Sequence, residues 1–230
     1  MVLKEAKSAR PVVTFAQVSQ DPKVNALIDG ANDVLKSMGY TEHGRRHVTE
    51  VSDVTGYILQ QLGVREREVE LGKIAAYLHD IGNVISRVGH PLHGGAMAFK
   101  LLDDMGMPAE EVAPVLAAIG NHEESTGQPV STISAAVIIA DKSDVHRSRV
   151  QNPIMESFDI HDRVNYAVTE SNVRMDNDAQ VVALDLTIDT QEASVMEYFE
   201  IFLHRMVMCR KSAEVFGYTF RLCINGTTLQ

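Results

Sequence analysis

Cysteine is scarce in this chain. Two in 230 residues, Cys209 and Cys223, sit among apolar neighbours without CxxC spacing, which excludes a disulfide framework and a thiolate zinc knuckle. Both are expected to be ordinary buried thiols. Basic charge is also in deficit: 21 Lys+Arg against 31 Asp+Glu leave a formal net charge of -10, which repels long polyanions and anionic lipid. Neither nucleic acid nor a membrane surface is therefore an expected partner. No apolar run approaches the roughly 18 residues of a membrane span, and the opening MVLKEAKSARPVV lacks the features of a signal peptide, so the expectation is a cytoplasmic protein. Internal repeats and low-complexity tracts are missing too. What is present is 45% hydrophobic and 23% charged residues, enough for one domain or one domain with an appendage.

The apolar spacing divides the chain into three parts. Residues 1–40 form an N-terminal helical extension: VVTFAQVSQ is ambiguous, and DPKVNALIDGANDVLKSMGY predicts a helix opened by Asp21 with Pro22 at its first position. Residues 41–152 read as a helical bundle. Val48, Val51, Val54, Ile58 and Leu62 share one stripe, REREVELGKIAAYLHD follows, GGAMAFKLLDDMG is closed by Gly106, PAEEVAPVLAAIGNH opens near Pro108, and STISAAVIIADKSDVHRSRV is capped by Ser131. Residues 153–230 read as a small antiparallel β-β-α-β unit. Residues 151–162 are its linker, DRVNYAVTESNVRM and AQVVALDLTID are strands joined at Asp176–Asp178, a long helix ends at Gly217, and a last strand carries an Asn225-Gly226 turn. The expected class is thus a mostly α bundle with a C-terminal α+β appendage.

Seven of the nine histidines fall between Thr41 and Arg147, in the helical part. His47 lies early in a helix, His79 and Asp80 end the next, His90 precedes a helix, His122 closes another, and Asp141 lies within a fifth. Imidazole nitrogen and carboxylate oxygen suit Fe, Mn, Co, Ni or Zn, and with no thiolate the inferred site is open and hydrolytic. A single carboxylate such as Asp80 can bridge two cations about 3.5–4 Å apart. A lone His-Asp pair is otherwise usually a solvated helix end. His146, His161 and His204 lack motif context and read as structural or exposed; Met196, Met206 and Met208 read as core filler.

Taken together, these fragments resemble the HD-domain superfamily of metal-dependent phosphohydrolases over about Thr41–Arg149. HGRRHVTEV supplies His47, with His43 one turn earlier; LHDIGN supplies His79 and Asp80; ADKSD supplies Asp141. HPLHGGAMA is similar to the H-P-x-x-G element of the dinuclear branch, and GNHEESTG to its H-H-E segment with His122 on the second His. The resemblance implies a first ion held by His47, His79, Asp80 and Asp141, and a second held by Asp80, His90 and His122. Counting back from Gly94 puts the ligand at His90 and leaves His93 either behind the ligands or facing substrate, with the opposite assignment of the two open. Asn121 replaces a histidine of the HD-GYP subfamily, Asn83 replaces its lysine, and no GYP follows Gly127, so cyclic dinucleotides are not the expected substrate.

The implied activity is cleavage of a phosphoester of a small phosphorylated metabolite or nucleotide by a metal-activated hydroxide oriented by Asp80. Two divalent ions are the expected cofactor, with Fe, Mn, Co, Ni, Zn and Mg left open. The leaving oxygen would take its proton from His43, His93 or water, and Lys142, next to Asp141, is the leading phosphate contact among Arg45, Arg46, Lys73, Arg147 and Arg149. The alternatives are a metal-binding sensing module without turnover and a di-iron oxygenase on the same fold. No ligand falls after residue 152, so the C-terminal unit is expected to shape access, carry regulation or form a homodimer contact. There Val181, Leu184, Leu186 and Ile188 would pack on Met196, Phe199, Phe202 and Met206.

Overall fold

Helix boundaries follow the chemistry of their ends in this computed structural model, which describes residues 12–229. The first eleven residues, most of the stretch read above for a leader, lie outside the described residues. Thr14 caps α1 (Phe15–Gln20) through a capping box with Gln17. Asp21 accepts from the backbone N–H of Lys23 and Val24 at 2.8 and 3.0 Å and opens α2 (Pro22–Ser37), with Pro22 at the first turn. Val24, Ile28, Ala31 and Leu35 then form its buried stripe. The bundle continues with α3 (Arg45–Gln61), α4 (Glu66–Leu78), α5 (His90–Asp104), α6 (Ala109–Gly120) and α7 (Thr132–Ser143). Ser131 caps α7 by accepting from the Ser134 N–H at 3.1 Å.

α7 is the axis of the molecule. Every residue from Ile133 to Ser143 is buried, because α3, α4, α6 and α9 surround it. Its sequence fits that position: Ser134, Ala135, Ala136 and Ala140 let neighbouring helices approach, while Val137, Ile138 and Ile139 fill the gaps. A chain hydrophobic all round suits a helix enclosed on all sides.

A second local constraint sits between α4 and α5, where a 3₁₀ turn (Ile81–Val84) packs against the start of α5. A Cβ at Gly82 would lie 2.1 Å from the His90 carbonyl oxygen and 2.4 Å from the Gly94 nitrogen, so only glycine permits this contact. The contact brings the Asp80 segment beside His90.

Beyond residue 153 the structure departs from expectation in three ways. The segment read as the start of a strand begins with a helix, α8 (Ile160–Ala167), because Asp159 accepts from the Asp162 N–H at 2.8 Å and caps it. Alternation starts only at β1 (Val168–Asp176), which pairs antiparallel with β2 (Val181–Ile188). The long helix α9 (Val195–Val215) then crosses over, so β3 (Thr219–Ile224) runs parallel to β2 rather than antiparallel. Finally, Asn225 and Gly226, both with positive φ (50° and 76°), turn the chain into a short β4 (Thr227–Thr228). The sheet order is β1-β2-β3-β4.

The sheet packs on α9 much as the spacing predicts. Val182, Leu184, Leu186 and Ile188 are buried with Phe202 and Met206, and Val181 is buried as well. Met196 is the exception at 67% exposure; it lies in the first turn of α9 on the outward face, while Tyr198 takes the buried place. Cys209 is buried, and Cys223 is half-buried. One continuous apolar cluster runs from Val13 and Val18 through α7 to Phe220 and Ile224. Among the described residues, no helix is long and apolar enough to cross a membrane.

Candidate metal centre

Each implied ligand is delivered by the end or the enclosed face of a helix. His47 stands in the first turn of α3, His79 caps the C-terminus of α4, Asp80 precedes the 3₁₀ turn, His90 begins α5, His122 follows α6, and Asp141 lies near the end of α7. All six are buried.

The hydrogen bonds fix how the imidazoles face. Nδ1 of His79 meets the Ala76 carbonyl at 2.7 Å, Nδ1 of His90 the Arg87 carbonyl at 3.0 Å, and Nδ1 of His122 the Ile119 carbonyl at 2.6 Å. Nδ1 of His47 meets an Asp144 carboxylate oxygen at 2.5 Å. Carbonyls and carboxylates only accept, so each Nδ1 carries a proton and each ring turns its Nε2 inward, as a lone pair wherever that atom is unprotonated. Those atoms converge: the Nε2 atoms of His47 and His79 are 3.2 Å apart, and those of His90 and His122 are 3.1 Å apart. Facing acceptors at such distances repel unless a positive charge lies between them.

Asp80 stands between the two pairs. Its Oδ2 lies 3.3 Å from Nε2 of His79 and 3.7 Å from Nε2 of His47, whereas its Oδ1 lies 3.2 Å from Nε2 of His90 and 3.5 Å from Nε2 of His122. Asp141 Oδ1 joins the first pair at 3.5 Å from His47 and 3.7 Å from His79. Three overlapping groups result, His47/His79/Asp141, His79/Asp80/His122 and His90/His122/Glu123, each with ligand atoms within 4.8 Å of one another. The donor set therefore fits divalent cations, with one carboxylate placed to serve two of them.

A surrounding layer orients these groups. Asn83 donates to Asp80 Oδ1 at 2.9 Å, and the Lys142 ammonium lies 2.7 Å from Asp141 Oδ2, leaving Oδ1 for the histidines. Asp144, which holds His47, is itself held by Arg46 at 2.7 Å. Burial opposes charge on Asp80 and Asp141, but His79 beside the first and Lys142 beside the second hold both carboxyls well below the usual carboxylate range. Burial also opposes charge on His79, yet Asp80 and Asp141 outweigh it and lift the ring up to about 10, so a second proton on its Nε2 can take the place of a cation there. His122 goes the other way, burial pushing it down, as burial and Arg149 push down His43.

His43 is not on α3, which starts at Arg45 after Gly44, but its ring packs edge-on against His47 at 5.4 Å between centroids. Its Nδ1 donates to the Thr41 carbonyl, leaving Nε2 as an acceptor. His93 is not brought into the group; its Nδ1 has no partner among the described residues. Lys142 does not reach outward as the sequence suggested, because Asp141 and Glu124 engage its ammonium at 2.7 and 2.6 Å. Arg45, Arg46 and Lys73 are paired with Asp29, Asp144 and Asp53, Arg147 lies over the Tyr166 ring, and Arg149 is buried against Asp144.

Sequence reasoning missed Glu123, Asp144, Arg87 and Arg205. Glu123 was legible in the H-E-E segment itself; the others are brought in by the fold. Arg87 and Arg205 line a cavity of about 480 Å³ with Tyr40, His43, Glu124 and His161. A cavity of about 510 Å³ lies between α3 and β1, and one of about 610 Å³ is lined by His90, Glu123 and, again, Arg87.

Comparison with known proteins finds a family match over this arrangement. Residues 44–146, which hold all six implied ligands, match the HD domain family. It is 27% identical over 215 residues to an uncharacterized protein of Methanocaldococcus jannaschii, with 83% of this chain and 82% of that one covered. It is also 27% identical over 122 residues to Ribonuclease Y of Lawsonia intracellularis, a match covering 52% of this chain but only 21% of that enzyme. Among solved structures, a predicted HD superfamily hydrolase from an uncultured Thermotogales bacterium aligns with TM-score 0.43 and 25% identity over 57% of this chain and 73% of that one. A Lactobacillus plantarum protein aligns with TM-score 0.44 and 15% identity over 86% and 89% of the two chains.

Proposed function

We propose that the chain is a metal-dependent phosphohydrolase that cleaves a phosphoester of a small phosphorylated metabolite or nucleotide. The observation that carries this reading is the convergence of four Nε2 atoms on the two oxygens of Asp80. Acceptors gathered so closely need positive charge among them, which a proton on His79 supplies in part and cations would supply at both pairs.

Bound there, two divalent ions would supply positive charge to the phosphoryl oxygens and lower the pKa of an attacking water. His47, His79, Asp80 and Asp141 would hold one ion; Asp80, His90 and His122 would hold the other, with Glu123 beside it. The protein's own groups do the positioning. Asn83 and Lys142 fix the two carboxylates, while backbone carbonyls and Asp144 fix the ring tautomers, so the donor set is organised before any ion arrives. His43, on the wall between the cluster and the 480 Å³ cavity, offers a neutral Nε2 that can accept a proton at that boundary. His93 has no such position, which leaves water as the proton source for the leaving oxygen. The net charge of -10 supports a small substrate over a long polyanion.

The test is metal analysis of the purified protein joined to a phosphate-release screen over nucleotides, dinucleoside polyphosphates, sugar phosphates and a short RNA. Phosphate release that requires divalent metal and a small ester supports the reading. Cleavage of RNA alone, or redox turnover of bound iron without phosphate release, would replace it.

A further inference from the structure

The arginines of this protein are satisfied very unequally. Arg46 meets Asp144 at 3.1 and 2.7 Å and Glu42 at 3.0 Å. Arg67 grips Glu111 at 2.9 and 2.5 Å, and Arg149 donates to the Asp144 and Glu42 carbonyls at 2.7, 3.1 and 2.8 Å. Arg87 and Arg205 are different. Their side chains are only 24% and 19% exposed, yet among the described residues Arg87 has two long contacts, to His90 and Glu123, both 3.4 Å, and Arg205 has one, to Glu124 at 3.3 Å. A guanidinium carries five N–H donors, and leaving most of them unpaired away from bulk water is unfavourable. An anion with several oxygens would correct that.

Both side chains line the same 480 Å³ cavity, which holds no implied ligand itself but reaches the metal centre through His43 and Arg87. Its inner wall is His43, packed on His47, and Arg87 reaches from the wall to His90. Arg205 comes from α9, where its guanidinium lies 4.4 Å from the centroid of the Phe202 ring, which holds it in place. Cavities of about 300–1,000 Å³ take small ligands. This one has room for a sugar phosphate or a nucleoside monophosphate.

We propose that Arg87 and Arg205 form an anion clamp at the mouth of the metal centre, receiving the phosphate of a small phosphomonoester, with Arg205 supplied by the C-terminal unit. The proposal rests on the phosphohydrolase reading for the identity of the anion. It assigns to the C-terminal unit a binding group, where the sequence led us to expect only a role in access, regulation or assembly. Glu123 and Glu124 hold the two guanidiniums loosely, so phosphate oxygens can take over donors that the carboxylates do not use.

The test is calorimetric titration of inorganic phosphate into the metal-loaded full chain, as wild type, Arg205→Gln and Arg210→Gln. Arg210 is exposed on the same helix and controls for net charge. The clamp predicts equal metal content in all three, a phosphate Kd raised roughly 10- to 100-fold in Arg205→Gln, and little change in Arg210→Gln. In steady state, Arg205→Gln should raise KM for phosphomonoesters more than it lowers kcat, and Arg205→Lys should recover only part of the loss. Unchanged phosphate affinity in a folded Arg205→Gln protein overturns the clamp, as does wild-type protein that binds no phosphate. Arg205-dependent phosphate binding without ester hydrolysis would keep the clamp and remove the hydrolase reading; hydrolysis with Arg205-independent binding would do the reverse.

Discussion

Around the start of α3 and the end of α7 the helical part encloses imidazoles, aspartates, Lys142 and Arg149, whereas between α9 and the sheet the C-terminal part encloses Tyr198, Phe202, Met206, Phe220 and aliphatic strand residues. The second region is the arrangement that apolar burial favours by itself. The first region is one that burial alone opposes, since every charge in it needs a partner. Local and global preferences conflict there, and such conflict is typical of a functional site rather than a structural core. Yet the two regions share one apolar cluster through α7, so the site is braced by the same packing that builds the C-terminal unit.

Substitutions on either side of this contrast should separate function from stability. The largest effect is expected for Asp80→Ala, which removes the carboxylate common to both ion positions: metal content and phosphate release should fall to background while circular dichroism stays helical. Normal metal and turnover in that variant would end the two-ion account. Next comes Phe202→Ala, which should cost roughly 3–5 kcal/mol by opening a cavity under α9, seen in urea unfolding, while the metal bound per folded molecule stays unchanged. Lys142→Met should cost about 3 kcal/mol or more by removing the buried ammonium that balances Asp141 and Glu124, and should weaken metal affinity about 10- to 100-fold. If its metal affinity were untouched, Lys142 would have no part in orienting Asp141.

The smallest effect is a pH dependence. Burial opposes the Asp144 carboxylate, but Arg149, His47 and Arg46 outweigh it and hold its carboxyl well below the usual carboxylate range. A depressed folded-state pKa gives stability that is present above the unfolded value and lost as pH falls through the folded one. Unfolding midpoints of the wild type should therefore drop between about pH 4 and the acid limit. Asp144→Asn should show a shallower fall over that range, and an equal slope would remove Asp144 from the acid limb.

Much of this was legible in sequence because the signals were local. Asp21-Pro22, Ser131, Gly106 and Gly217 act within a turn of where they stand, and the helical spacing of the bundle depends on burial of one stripe at a time. The histidines and aspartates of the site were legible as residues in an order resembling a known family. Their convergence was not, because it depends on how separate helix ends meet, on the distant Asp144 that holds His47, and on a Gly82–Gly94 contact between two elements. Strand direction failed for the same reason: nothing within YTFRLC reveals that α9 returns the chain to the starting end of β2. The α8 helix was hidden because Val164 and Ala167 suit either period, and only the Asp159 cap decides. Arg87 and Arg205 carry no motif at all, and their meaning comes from what fails to pair with them.

The central claim is that Asp80 lies between two ion positions. Anomalous diffraction from crystals of the full chain grown with Mn²⁺ tests it most directly. The account predicts two peaks about 3.5–4 Å apart flanking Asp80, one beside His47, His79 and Asp141 and the other beside His90 and His122. A single peak away from Asp80, or none in protein that is folded and loaded, would contradict it.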